Sequence, residues 1–223
     1  MTVILVLVTF LVFIVLDYVL NRRKVAVATP VLASAAHPNR GGADYVGPFL
    51  VPKDRSYHAG HSWLMPERKS VVRVGADEFA AALAGTVERI ELPKPGQWIR
   101  QGQEVFGFYK DGEKVGMVAP TEGEVLAANT DLVRDPSLLR RDPYGAAWLI
   151  TVNVPDEETT TRNLVPKCLI TDWMRDAIDR LYAHQPVLAG AVAADGGRPA
   201  EDLTAGLPDA NWKTLAAEFF LTA

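Results

Sequence analysis

The sequence predicts a mainly β domain, a flattened barrel of two interlocked halves with short helices. It is set between an apolar N-terminal segment and a helical C-terminal extension. Three observations predict this. Residues 104–120 read as two short strands around Asp111-Gly112, a dipeptide that tolerates the positive φ of a type I′ hairpin turn. Short strand-like runs separated by turn residues recur between Tyr57 and Val152, the spacing closed all-β folds show. Gly85-Thr86-Val87 and Gly123-Glu124-Val125 each open a strand after a compact segment, the internal echo that two similar halves would leave.

The 223 residues suffice for one core domain plus appendages. A net charge of −4 and the lack of any basic stripe argue against a nucleic-acid partner. Cys168 is the single cysteine, so there is no internal disulfide framework and no cysteine-based metal site. As a lone cysteine it is expected to be a small buried residue.

Val3 to Leu20 is nearly all Val, Leu, Ile and Phe, close to the shortest run that spans a bilayer. Asn21-Arg22-Arg23-Lys24 follows it and no Lys or Arg precedes it. By the positive-inside rule, residues 1–24 are expected to be an uncleaved signal anchor, single-pass, with the soluble part on the cytoplasmic side. A cleaved signal peptide ending near Ala33-Ser34-Ala35 is the alternative. Residues 25–54, rich in Ala, Pro and Gly without sustained period, are expected to be a linker.

Residues 55–154 form the β domain. Ser62–Met65 and Ser70–Gly75 are expected to pair around a turn at Pro66–Lys69. A short helix follows from Asp77 to Leu83, closed by Gly85. Thr86 to Leu92, Gln97 to Arg100, Gly123 to Ala128 and Ala147 to Val152 read as extended, and Pro136 to Arg140 as a helical turn. The central hairpin's register follows from its turn. Lys110 faces Glu113, Phe108 faces Val115 and Phe106 faces Met117 on the apolar side. Tyr109 faces Lys114, Gly107 faces Gly116 and Val105 faces Val118 on the other.

Residues 155–223 change character. Asp156 to Thr161 is a polar loop. Leu169 to Tyr182 is helical, with Trp173, Ala177, Ile178 and Leu181 along one side. Gln185 to Ala194 is apolar, Asp195 to Pro199 a turn, and Asn211 to Leu221 a final helix. Trp173, Trp212, Phe219 and Phe220 are candidate partner-binding residues. Exposed aromatic clusters mark interfaces, and the alternative is that these residues cover a face of the barrel.

His58 and His61 have a spacing that could suggest a metal pair, but no further ligands complete a set, so no metal is expected. Asp172, Asp176 and Asp179, interleaved with Arg175 and Arg180, read as a solvated helix face. No nucleophile elbow or nucleotide-binding fingerprint occurs, so no catalyst is expected.

Several blocks between Tyr57 and Val152 resemble the H-protein of the glycine cleavage system. They are Tyr57-His58-Ala59-Gly60-His61-Ser62-Trp63, Val72 to Ala80, Leu83 to Val87, Glu91-Leu92-Pro93-Lys94-Pro95-Gly96, Val105-Phe106-Gly107, Ala119 to Val125, Asn129, and Asp142 to Leu149. The resemblance implies a lipoyl-type barrel-sandwich hybrid. It also implies a carrier whose hairpin-tip lysine bears lipoate through an amide and visits a pyridoxal-phosphate decarboxylase, a folate enzyme and a flavoprotein.

The chain departs from that pattern at the tip. The family's lysine stands eight residues before the proline of the following Pro-x-x-Gly, and eight before Pro120 is Gly112. Asp111 and Gly112 form the tip, and Lys110 and Lys114 flank it. The expectation is therefore an H-protein-like subunit without lipoate or other cofactor. It would act as a structural or adaptor protein with protein partners in a membrane-associated complex, a redox one by the family's company. The alternative is a true lipoyl carrier with lipoate on Lys114 or Lys110.

Overall fold

The computed structural model describes residues 43–156, 160–161, 163–184 and 212–222. All of them belong to one compact unit, Gly41–Ala223. The apolar run Val3–Leu20, most of the expected linker, Gln185 to Ala194 and the Asp195 to Pro199 turn lie outside the described residues. Among the described residues no helix is long and apolar enough to cross a membrane.

Eleven strands are described. β1 (Ala43–Val46) and β2 (Phe49–Pro52) form a hairpin. This corrects the linker expectation: Val46, Phe49 and Val51 are core residues. Gly47, at φ 57°, supplies the turn in the Gly-first pattern of a type II′ connection. Tyr57 and Tyr144 hold the hairpin to the domain by donating hydroxyl hydrogen bonds to Pro52 O (2.9 Å) and Leu50 O (2.7 Å).

The larger sheet has the order β3 (Ser56–Tyr57), β4 (Ser62–Arg68), β5 (Val71–Ala76), β11 (Trp148–Asn153), β10 (Gly123–Ala128), β7 (Trp98–Ile99). β4 continues through Pro66, which faces Val72 beside a bulge, so the turn to β5 lies at Lys69-Ser70 rather than at 66–69. Proline lacks an N–H donor, and a bulge is where a strand tolerates that. The smaller sheet has the order β6 (Arg89–Glu91), β8 (Glu104–Lys110), β9 (Glu113–Val118). Both sheets feed one core: Val72, Val74, Ile150 and Val152 from the larger, Ile90, Phe106, Phe108 and Met117 from the smaller.

α1 (Glu78–Ala84) is capped by Asp77, whose side chain accepts from Ala80 N–H, and is closed by Gly85 at φ 68°. α2 (Thr130–Arg134) was not anticipated, though Asn129 accepts from Asp131 and Leu132 N–H as an N-cap residue should. α3 (Leu138–Arg141) follows. Beyond β11, α4 (Ile170–His184) and α5 (Trp212–Phe220) pack on the β domain. Met174, Ala177 and Leu181 of α4, and Ala216, Phe219 and Phe220 of α5, are all within 1% of complete burial.

Candidate functional site

The hairpin of β8 and β9 is the candidate site. Its register is the expected one from Lys110↔Glu113 through Phe106↔Met117. At the base a bulge places Glu104, not Val105, opposite Val118. Asp111 (φ 51°) and Gly112 (φ 78°) form the turn, both in the left-handed region. That region is why Asp-Gly occupies it. Both are exposed, and a Cβ built on Gly112 would meet nothing within 4 Å. The tip is thus open in space and carries no lysine.

The two flanking lysines lie on opposite faces. Lys110 is partly buried and stands across from Glu113. Lys114 runs over the outer face instead. Its Nζ lies 3.1 Å from Glu91 Oε2 on β6. The same oxygen accepts a 2.7 Å hydrogen bond from the Tyr109 hydroxyl. The Arg89 guanidinium sits 3.8 Å from the centroid of the Tyr109 ring. Hydrogen bonds from Tyr109 and Lys114 hold the Glu91 carboxyl below its usual range, and the Glu91 carboxylate holds the Lys114 ammonium above its own. Opposite charges in contact stabilise each other's ionised forms.

Two glycines make this arrangement possible. Gly107 and Gly116 face each other across the hairpin. Lys114 crosses the first: a Cβ there would stand 2.7 Å from Lys114 Cε. The Glu104 carboxylate overlies the second. The outer face thus carries the Lys114–Glu91 ion pair over one glycine and the Glu104 carboxylate over the other. An ion pair this exposed contributes little stability, about 0–1 kcal/mol, but it does fix where Lys114 points.

The C-terminal helix fastens the free edge of β9. Lys213 reaches Glu113 beside the turn at 3.1 Å. The Thr222 hydroxyl donates to Gly116 O at 3.3 Å. The Phe220 and Phe108 rings lie 6.0 Å apart at their centroids. The expectation of Phe219 and Phe220 as an exposed partner face is corrected here. Both are buried, and Trp173 and Trp212 are partly buried against the core. The Trp212 indole donates to Leu83 O at 3.1 Å. Two amphipathic helices found their apolar partner within the chain.

His61 shows where that cover grips. It is fully buried, with Nδ1 2.8 Å from Asp77 Oδ2. Its ring stacks between Phe79 (4.2 Å) and Trp173 (4.7 Å), with Phe219 at its edge. His58 instead accepts from Gly60 N–H through Nδ1 at 3.1 Å. Among the described residues no group of three or more metal-ligating side chains comes together. Cys168, expected to be buried, is exposed on the turn before α4.

Sequence reasoning missed Glu91. It lies far from Lys114 along the chain, and only the pairing of β6 with β8 brings it within reach. The Glu-Leu-Pro block marked the residue without showing its contact.

The family described as Glycine cleavage H-protein matches residues 55–176, just over half of the chain. A glycine cleavage system H protein of Mycobacterium leprae is 40% identical over 107 residues, 48% of this chain and 80% of that protein. A probable glycine cleavage system H protein of Natronomonas pharaonis is 39% identical over 111 residues, 49% of this chain and 86% of that protein. A solved glycine cleavage system H protein from Mycobacterium marinum aligns with a TM-score of 0.49 and 27% identity, covering 56% of this chain and 98% of that one. The chain belongs to the glycine cleavage H-protein family.

Proposed function

We propose that this protein is an H-protein-like subunit that works without lipoate, as a structural or adaptor component of a larger protein complex. As a member of this family it is a carrier or adaptor rather than a catalyst. The observation that carries the reading is the hairpin. Its turn is Asp111-Gly112, and the nearest outward lysine, Lys114, is folded back onto Glu91. A swinging arm needs a lysine on the turn with its amine free. Here the turn has no lysine, and of the two that flank it Lys114 is engaged with Glu91 while Lys110 is partly buried on the other face. Fastening of the β9 edge by α5 also suits a rigid scaffold.

The membrane part of the proposal rests on sequence. The run Val3–Leu20 followed by Arg22-Arg23-Lys24 would hold the domain at the cytoplasmic face of a membrane. Carbonate extraction of native membranes checks this; release of the full-length chain into the soluble fraction would remove the anchor.

A second reading has one observation in its favour. Lys114 is close to the turn and its side chain is 44% exposed, so a lipoyl carrier using Lys114 is sterically feasible; Lys110 is the other candidate. Intact mass of the protein from its native host separates the two readings. We expect the unmodified mass in a lipoate-competent cell. A mass gain of one lipoyl group, lost in a variant with Lys114→Arg and Lys110→Arg, would establish the carrier instead. The adaptor role predicts a stoichiometric partner on capture from solubilised membranes, and recovery of the chain alone would count against it.

A further inference from the structure

Lys114 leaves β9 beside the turn yet points away from it. Its side chain crosses the backbone of Gly107 and ends on Glu91 of the third strand of that sheet. The crossing requires a strand residue without a side chain, since a Cβ at Gly107 would stand 2.7 Å from Lys114 Cε and 3.3 Å from Glu91 Cβ. Tyr109 donates to the same Glu91 oxygen and so fixes the acceptor.

We propose that Glu91, laid across the bare backbone of Gly107, is a clasp that withholds Lys114 from acylation, making the flank of the turn a restrained modification site. The proposal rests on the reading that the hairpin works without lipoate. Acylation of a lysine needs the neutral amine. The Nζ lone pair attacks the activated acyl carbon and the C–N bond forms. The bond from that carbon to the leaving oxygen breaks, the leaving group departs with its electron pair, and the amine's proton passes to solvent. An ammonium held against a carboxylate offers no lone pair and faces away from an approaching acyl donor, so acylation waits on the fraction of time the pair is open. The raised pKa of Lys114 agrees with this geometry.

The test is competitive labelling of the full chain, produced without lipoate, with the acetyl ester of N-hydroxysuccinimide, read lysine by lysine by peptide mass. Exposed Lys69 and Lys94 serve as internal references. We expect Lys114 to react about two- to fivefold slower than the references, the range an exposed ion pair supports. Glu91→Gln removes the charge, and Gly107→Ala displaces the lysine stem sterically. Both should bring Lys114 up to the reference rate while Lys69 and Lys94 stay unchanged, and a cooperative urea transition with unchanged slope in each variant shows that the fold is intact. Lys114 reacting at the reference rate in the unaltered chain would overturn the proposal, as would a slow Lys114 in both variants. Acceleration in Gly107→Ala alone would remove Glu91 from the clasp. A lipoyl group found on the native protein would end the functional reading, yet these rates would still decide whether the clasp exists.

Discussion

Gly75 lies beneath the indole of Trp63, the cross-strand neighbour it pairs with. A Cβ there would overlap the ring. Trp63 cannot yield: it is fully buried, and its Nε1 donates to Ala76 O at 2.8 Å. Gly75→Ala should therefore destabilise by about 1–3 kcal/mol, as overpacking does, seen as a lower urea midpoint with unchanged slope. His58 gives a prediction in pH. Burial, aided by neighbouring His61, pushes its pKa below the ordinary histidine value. The unfolded chain then binds the proton more readily than the folded one. Stability from this group is present above the ordinary value and falls as the pH drops through it. Melting temperatures across pH 5–8 should decline on the acid side, and His58→Asn should flatten part of that decline. An identical slope in the variant would assign the effect elsewhere.

At the scale of elements, the C-terminal helices have become part of the core. α5 contributes Phe219 and Phe220 to the cluster that includes Phe79 and Phe108. Phe219→Ala should cost about 3–5 kcal/mol, as large-to-small core changes do, and Lys213→Ala less than about 1 kcal/mol. Chemical denaturation of both variants checks the contrast; equal small losses would mean that α5 is only loosely attached. The helices' existence was readable from apolar residues at helical spacing. Their target was not, since periodicity gives the apolar face and says nothing about what it covers. The β1–β2 hairpin escaped for a related reason. Four-residue strands among Pro and Gly carry too little period to stand out, and tertiary hydrogen bonds from Tyr57 and Tyr144 hold them.

For the whole molecule, the β domain and its C-terminal cover form one unit. His61 is stacked by Phe79 of α1 and Trp173 of α4 and touched by Phe219 of α5, so removing the cover would strip a buried histidine of two aromatic neighbours. Truncation after Pro166, which removes both α4 and α5, should lower the melting temperature and increase binding of a hydrophobic dye relative to the full chain. A truncated domain as stable as the parent, and equally dye-silent, would show that the cover is dispensable.

Local chemistry was enough to read the hairpin. Asp111-Gly112 dictates the turn, the turn dictates the register as far as Phe106↔Met117, beyond which a bulge shifts it, and the count back from Pro120 puts Gly112 where the family has its lysine. The Gly85 stop of α1, the mainly β domain and the family were legible for the same reason, since each rests on residues close together in the chain or on ordered blocks; the capping role of Asp77, read as a first-turn residue, was not. What Lys114 does was decided only by the tertiary structure. Its partner Glu91 reaches it through the pairing of β6 with β8, over a glycine whose lack of a side chain matters only once the strands are side by side. The aromatic residues of α4 and α5 were settled the same way, as their burial depends on the surface they meet.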